Sequence, residues 1–269
     1  MTTFVWSVRR ELWEHRWVYR VPVLVGGAFT LVFAAVMVAG TGNADLSAQA
    51  AAVGNFDLVS RLLLMTGTIV AFVYCAEALH GERRDNSIQF WRALPVGDGV
   101  AVAAKVTIPL CIIPLATLVM LLLAQIVAHA VAGDAFRSVT TPLANPGAAV
   151  AEVVASALWI APVYCWILMV SAWARRAVLV VALVPPVLAG MVGHVVTGSG
   201  RLADALFLRG VGRHWPAGVR LGSAPVADAV PPRTAPELLV SPALWLGVLL
   251  AIALVTIAVR LRGRQVSFI

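Results

Sequence analysis

Runs of roughly 20 apolar residues recur along this chain, the length a helix needs to cross a hydrocarbon core of about 30 Å. They fall at Val21–Val38, Leu62–Leu79, Ala101–Ala130, Val150–Trp173, Ala177–Val196 and Leu239–Val259. Inside lipid every backbone polar group must be bonded within the chain, so each run reads as a helix. Composition agrees: of 269 residues 61% are hydrophobic and 12% charged, with a mean hydropathy of +0.90. That is too little polar surface for a soluble domain of this size. The expected fold is an all-α polytopic membrane protein with six transmembrane helices. It forms one domain over residues 1–269, without internal repeats.

Two runs are interrupted. The third holds Pro109 and Pro114, which predicts a kink or a partly broken helix. The fifth holds Pro185-Pro186 followed by Gly190 and Gly193, which predicts a bend and close helix contact.

The net charge of +7 does not indicate nucleic acid. The arginines sit in short clusters beside apolar runs, as juxtamembrane anchors do. With both termini cytoplasmic, thirteen of the 20 basic residues lie on that side, including Arg175-Arg176 in a tight turn. An outer loop, Thr197–Glu237, runs against the rule with Arg201, Arg209, Arg213, Arg220 and Arg233. Within it Leu202, Leu206 and Phe207 pattern a short amphipathic helix. The first 20 residues are rich in charge and lack a clean apolar core, so they do not read as a cleavable signal.

Residues Phe4–Arg20 instead have helical periodicity. Trp6, Trp13 and Trp17 share one stripe, and Arg9, Arg16 and Arg20 form an adjacent one. Tryptophan beside snorkelling arginine fits an interfacial helix over residues 1–20, serving as a membrane anchor or as a docking surface for a cytoplasmic partner.

The polar stretch between the second and third apolar runs is Gly81–Lys105, on the cytoplasmic side. Asp85, Asn86 or Ser87 can start a helix there and Pro95 stops it after Leu94. Ile88 and Trp91 share a face, Phe90 and Leu94 make a second apolar ridge, and Asp98 is placed to cap the third span. A short helix with two aromatics and flanking charges fits a groove on another protein.

Glu82, Arg83-Arg84-Asp85, Ser87-Ile88, Phe90-Trp91, Leu94-Pro95-Val96 and Lys105 together resemble the cytoplasmic loop of ABC type-2 transporter permeases. The Arg10-Glu11-Leu12-Trp13-Glu14 segment, the six spans and the long outer loop are also similar. Gly97 stands where serine is common, and Asn86-Ser87-Ile88-Gln89 replaces a more widespread Gly-Thr-Leu-Glu. These departures point to a subgroup and leave the substrate open. The resemblance implies a bacterial inner-membrane exporter subunit that pairs with a second permease copy, as a homodimer, and with two ABC ATPase subunits. It implies that segment 81–100 supplies the coupling helix, with Arg83, Arg84, Asp85, Ile88, Phe90, Trp91, Arg92 and Leu94 contacting the ATPase. By the same token the outer loop forms external helices gating the outer mouth. No G-x-x-x-x-G-K-[ST] phosphate loop is present, and the single lysine, Lys105, follows Ala104. ATP and magnesium are therefore expected on the partner ATPase, with no cofactor on this chain.

Polar residues inside the spans are few. Glu77, near the cytoplasmic end of the second span, is a candidate relay to Arg84 or Arg175-Arg176, or a carboxylate reaching the interface. Thr117, Leu121, Gln125 and His129 follow at i, i+4 and predict an interhelical hydrogen-bond seam. Trp159, Trp166 and Trp173 recur every seven residues, a pattern for packing with Trp173 at the interface. Cys75, Cys111 and Cys165 lack metal-ligand spacing and read as packing thiols. There is no H-E-x-x-H and no aspartate well inside a span, which argues against an intramembrane hydrolase and against a metal site. The alternative is an ion-gradient-driven secondary transporter or channel, for which the interrupted third and fifth spans speak.

Overall fold

A computed structural model describes residues 3–40, 46–81, 97–132, 145–174, 177–197 and 235–264. The coupling residues Arg83, Arg84, Asp85, Ile88, Phe90, Trp91, Arg92 and Leu94 lie outside the described residues, as do Arg175-Arg176 and 198–234. The described chain is helical and contains no strand. In order it forms α1 (Thr3–Glu14), α2 (Trp17–Gly40), α3 (Leu46–Ala78), α4 (Asp98–Thr107), a π-helical turn (Ile108–Ile112) and α5 (Ile113–Ala132). These are followed by α6 (Pro146–Trp173), α7 (Val178–Thr197), the short α8 (Ala235–Val240) and α9 (Pro242–Arg264).

Five stretches are long and apolar enough to cross a membrane: Trp17–Ala39, Phe56–Ala78, Asp98–Val131, Pro146–Trp173 and Pro242–Gly263. The chain is a membrane protein. Its remaining apolar helix, α7, has a shorter such stretch, Val178–Gly193. The second membrane helix begins earlier than its apolar run, because Arg61 pairs one turn back with Asp57 at 2.7 Å and the helix carries both charges. The N-terminal helix also differs from expectation. It stops at Glu14, with a turn at His15-Arg16, and Trp17 opens the next helix.

α3 and α6 form the interior, each with over half of its apolar stretch buried. α2, α5, α7 and α9 pack around them and turn rows of Leu and Val outward, such as Leu24, Leu31, Leu123, Leu183 and Leu249. One core cluster gathers Val18, Tyr74, Ile108, Ile167 and Leu168, and another gathers Phe33, Phe56, Leu121 and Ala149. The helices approach closely where a side chain is missing. A Cβ on Gly67 would lie 2.6 Å from Thr117 Oγ1, so α3 meets α5 through that glycine.

Prolines of the third and fifth runs are accommodated in two ways. Between Pro109 and Pro114 the helix widens to a π-turn, and the Ile113 N–H donates to Ile108 C=O, five residues back. In α7, Pro186 has no N–H for the carbonyl of Ala182. The Trp166 indole N–H of α6 donates to that carbonyl at 3.0 Å. Trp159 and Trp166 pack against the core while Trp173 stands exposed, as the seven-residue spacing predicts. Replacing Trp166 with Phe keeps the ring contact and leaves the Ala182 carbonyl without its donor. We expect a stability loss of about 1–3 kcal/mol, read as a lower denaturation midpoint in detergent.

Candidate functional site

Lys105, in the last turn of α4, and Glu11, on α1, are buried at 0% and 1% exposure. Charges withdrawn from water this far must be paired. Lys105 Nζ donates to Glu11 Oε1 at 2.8 Å, Arg10 Nη2 donates to the same oxygen at 2.9 Å, and Tyr74 Oη of α3 donates to Oε2 at 3.1 Å. His15 stands edge-on to the Tyr74 ring at 5.3 Å between centroids. Three elements thus meet on one carboxylate. The local pattern explains why: Ser7 and Glu11 lie one turn apart on the buried face of α1, flanked by Val8 and Leu12 against the core.

Burial alone would push the Glu11 carboxyl up. The charge and hydrogen bond of Lys105 outweigh that, joined by Arg10 and His15, and hold the group below its ordinary value of 4.5. Glu11 therefore stays ionised at neutral pH. Glu11, Glu14 and His15 bring potential metal-ligand atoms within 4.8 Å of one another. A cation there would have to displace Lys105 and Arg10 from Glu11, so the arrangement is an ion-pair site and a poor metal site.

The same end of the bundle holds both flanks of segment 82–96. On the leading flank, the Leu79 N–H donates to Ser171 Oγ at 3.3 Å and His80 Nδ1 lies 3.4 Å from the Ala174 carbonyl. On the trailing flank, Asp98 Oδ1 meets Arg262 Nε of α9 at 3.4 Å. Asp98 is not the cap expected from sequence. Gly97 occupies the N-cap without a side-chain bond, and Asp98 sits in the first turn, where its charge suits the helix dipole.

The other expected residues are distributed as follows. Trp6 and Trp13 project from α1 at 51% and 54% exposure, with the Arg9 guanidinium 5.4 and 4.8 Å from their ring centroids. Trp17 does not continue that stripe; it packs against the core from the start of α2. Glu77 is exposed, and its proposed partners Arg84, Arg175 and Arg176 are outside the described residues. In the polar row of α5, Thr117 donates to Ile113 C=O and His129 Nδ1 lies 2.8 Å from Gln125 C=O, so these two bond along their own helix. Two contributions escaped the sequence reading. The partnership of Glu11 with Lys105 spans 94 positions. Glu152, inside the apolar run of α6, accepts from Ser156 Oγ at 3.3 Å; a carboxylate within such a run was itself the signal.

No known protein family, curated protein or solved structure matches the chain.

Glu11→Gln or Lys105→Met alone strands a buried charge and is expected to cost about 3–5 kcal/mol. The paired Glu11→Gln/Lys105→Met variant removes both charges and is expected to cost clearly less than the sum, as a double-mutant cycle in detergent measures. Because the Glu11 carboxyl is held low, its contribution is present above about pH 4.5 and is lost as pH falls through its folded value. The acid limb of the wild-type melting profile is therefore expected to be shallower in Glu11→Gln.

Proposed function

We propose that this chain is the membrane subunit of an ATP-driven ABC transporter, an exporter, moved by separate ATPase subunits that dock on segment 82–96. The observation that carries this reading is the Glu11–Lys105 pair beside Tyr74. It clamps the helix leaving the polar segment to α1 and α3, so force applied to that segment passes into membrane helices. Bonds from Leu79 and His80 to α6 tie the leading flank in the same way.

In this reading six helices cross a bacterial inner membrane, with both termini and segment 82–96 in the cytoplasm. Its support is geometric. α6 ends at Trp173 and α7 begins at Val178, beside the charged end. α8 and the start of α9 pack near Ala151, Ala155 and Leu158, in the opposite half of α6. In this reading the chain crosses the bundle between these points. α7, at 20 residues and about 1.5 Å each, has the reach. The working complex would hold two copies of this chain and two ATPases, with ATP and magnesium on the ATPases.

One observation favours an ion-gradient-driven carrier instead. Around the π-turn, Thr68, Thr117, Ser156 and Tyr164 line a cavity of about 30 Å³ next to Pro109 and Pro114. That volume suits about one water, so it offers a polar step and no passage.

Trp91→Ala is expected to leave the fold intact and to weaken ATPase co-purification and ATP-dependent transport in proteoliposomes by tenfold or more, on the order of a hot-spot loss. Undiminished ATPase binding and transport in that variant would sink the assignment. Transport by the chain alone, driven by an ion gradient, would establish the second reading.

A further inference from the structure

We propose that α1 is a docking surface for the anionic phospholipid headgroups of the leaflet it borders, and that lipid held there keeps Glu11 seated on Lys105. The inference goes beyond the transport reading and does not depend on it. It starts from the two faces of one helix. At about 100° per residue, Trp6, Arg9 and Trp13 fall on the side opposite the stripe of Ser7, Val8, Glu11 and Leu12. The inner stripe packs on α4 and the core, and the outer side is exposed.

The outer side is built for a negatively charged surface with an apolar layer beneath it. The Arg9 guanidinium lies over both indoles, 5.4 and 4.8 Å from their centroids, and brings N–H donors suited to a phosphate oxygen. Two further exposed arginines, Arg16 and Arg20, follow at the turn and at the start of α2. The exposed acid of α1, Glu14, already faces Arg10 at 3.5 Å. Half-exposed indoles suit the headgroup boundary, where one edge is apolar and the other wet.

Position selects lipid over a soluble partner. The apolar stretch of α2 begins at Trp17, three residues after α1 ends, which sets α1 at headgroup depth. Clustered arginines beside a membrane helix gather anionic lipids in a salt-dependent manner. Because Glu11 is on the same rigid turns as Arg9 and Trp13, a lipid contact that holds the outer face also holds the ion pair on the inner one.

The test uses the full chain in nanodiscs of phosphatidylcholine with or without phosphatidylglycerol, read by hydrogen exchange of the residue 3–14 amides. With phosphatidylglycerol at low salt those amides are expected to exchange more slowly, by up to about fivefold per engaged arginine. The gain should shrink as salt rises. It should vanish in Arg9→Gln/Arg16→Gln/Arg20→Gln, with exchange in α6 unchanged as the control of fold. Equal exchange in the two lipid compositions for the wild-type chain would overturn the proposal whatever the variant does. So would full protection in the triple variant, or protection that appears only on adding a soluble acidic peptide, which would assign the face to an acidic protein. All of these outcomes are read without an ATPase, so they stand apart from the fate of the transport reading.

Discussion

The arrangement of this molecule at its charged end depends on one buried carboxylate. Glu11 is removed from water and can remain ionised only because Lys105, Arg10 and Tyr74 converge on its two oxygens. Val8 and Leu12 add apolar contact but set no register between α1 and the bundle. The ion pair does, since a shift of one turn would bury a charge alone. The Asp98–Arg262 contact is longer and more open, and it guides the C-terminal helix to the same end.

Elsewhere the low dielectric of the bundle is met by keeping polar groups busy locally. Hydroxyls on the membrane helices fold back to the carbonyl four residues earlier: Thr30 on Gly26, Ser60 on Phe56, Thr68 on Leu64, Thr117 on Ile113 and Thr256 on Ile252. Where proline removes a donor, the backbone widens to a π-turn or borrows an indole N–H from the neighbouring helix. Both devices help the chain carry proline at membrane depth, and the indole supplies the Ala182 carbonyl with the donor that Pro186 lacks.

Much of the architecture was legible because run length alone identifies a helix that crosses lipid. The fifth run is an exception, since α7 has only the shorter apolar stretch Val178–Gly193; the other differences lie at the edges. Arg61 looked like a boundary until Asp57 paired with it inside α3. The break at His15-Arg16 leaves no mark in the sequence pattern because the tryptophan spacing continues smoothly across it, although Trp17 packs against the core. Asp98 has the right chemistry for a cap but sits one residue too late, behind Gly97. Of the site, the singularity of Lys105 was visible, but not its partner. Periodicity reports neighbours within a few turns, whereas Glu11 is brought to Lys105 by the packing of α1 on α4. Glu152 was a different kind of omission, since its position in an apolar run needed no tertiary information.

That Lys105 is the sole lysine and has no exposed surface gives the folded chain an unusual chemical property. Its one side-chain amine is out of reach of acylating reagents while α1 is seated, and it becomes available when α1 lifts. Acylation at that single position is thus a built-in clock for the opening of the N-terminal helix. No probe need be engineered into the protein to read it.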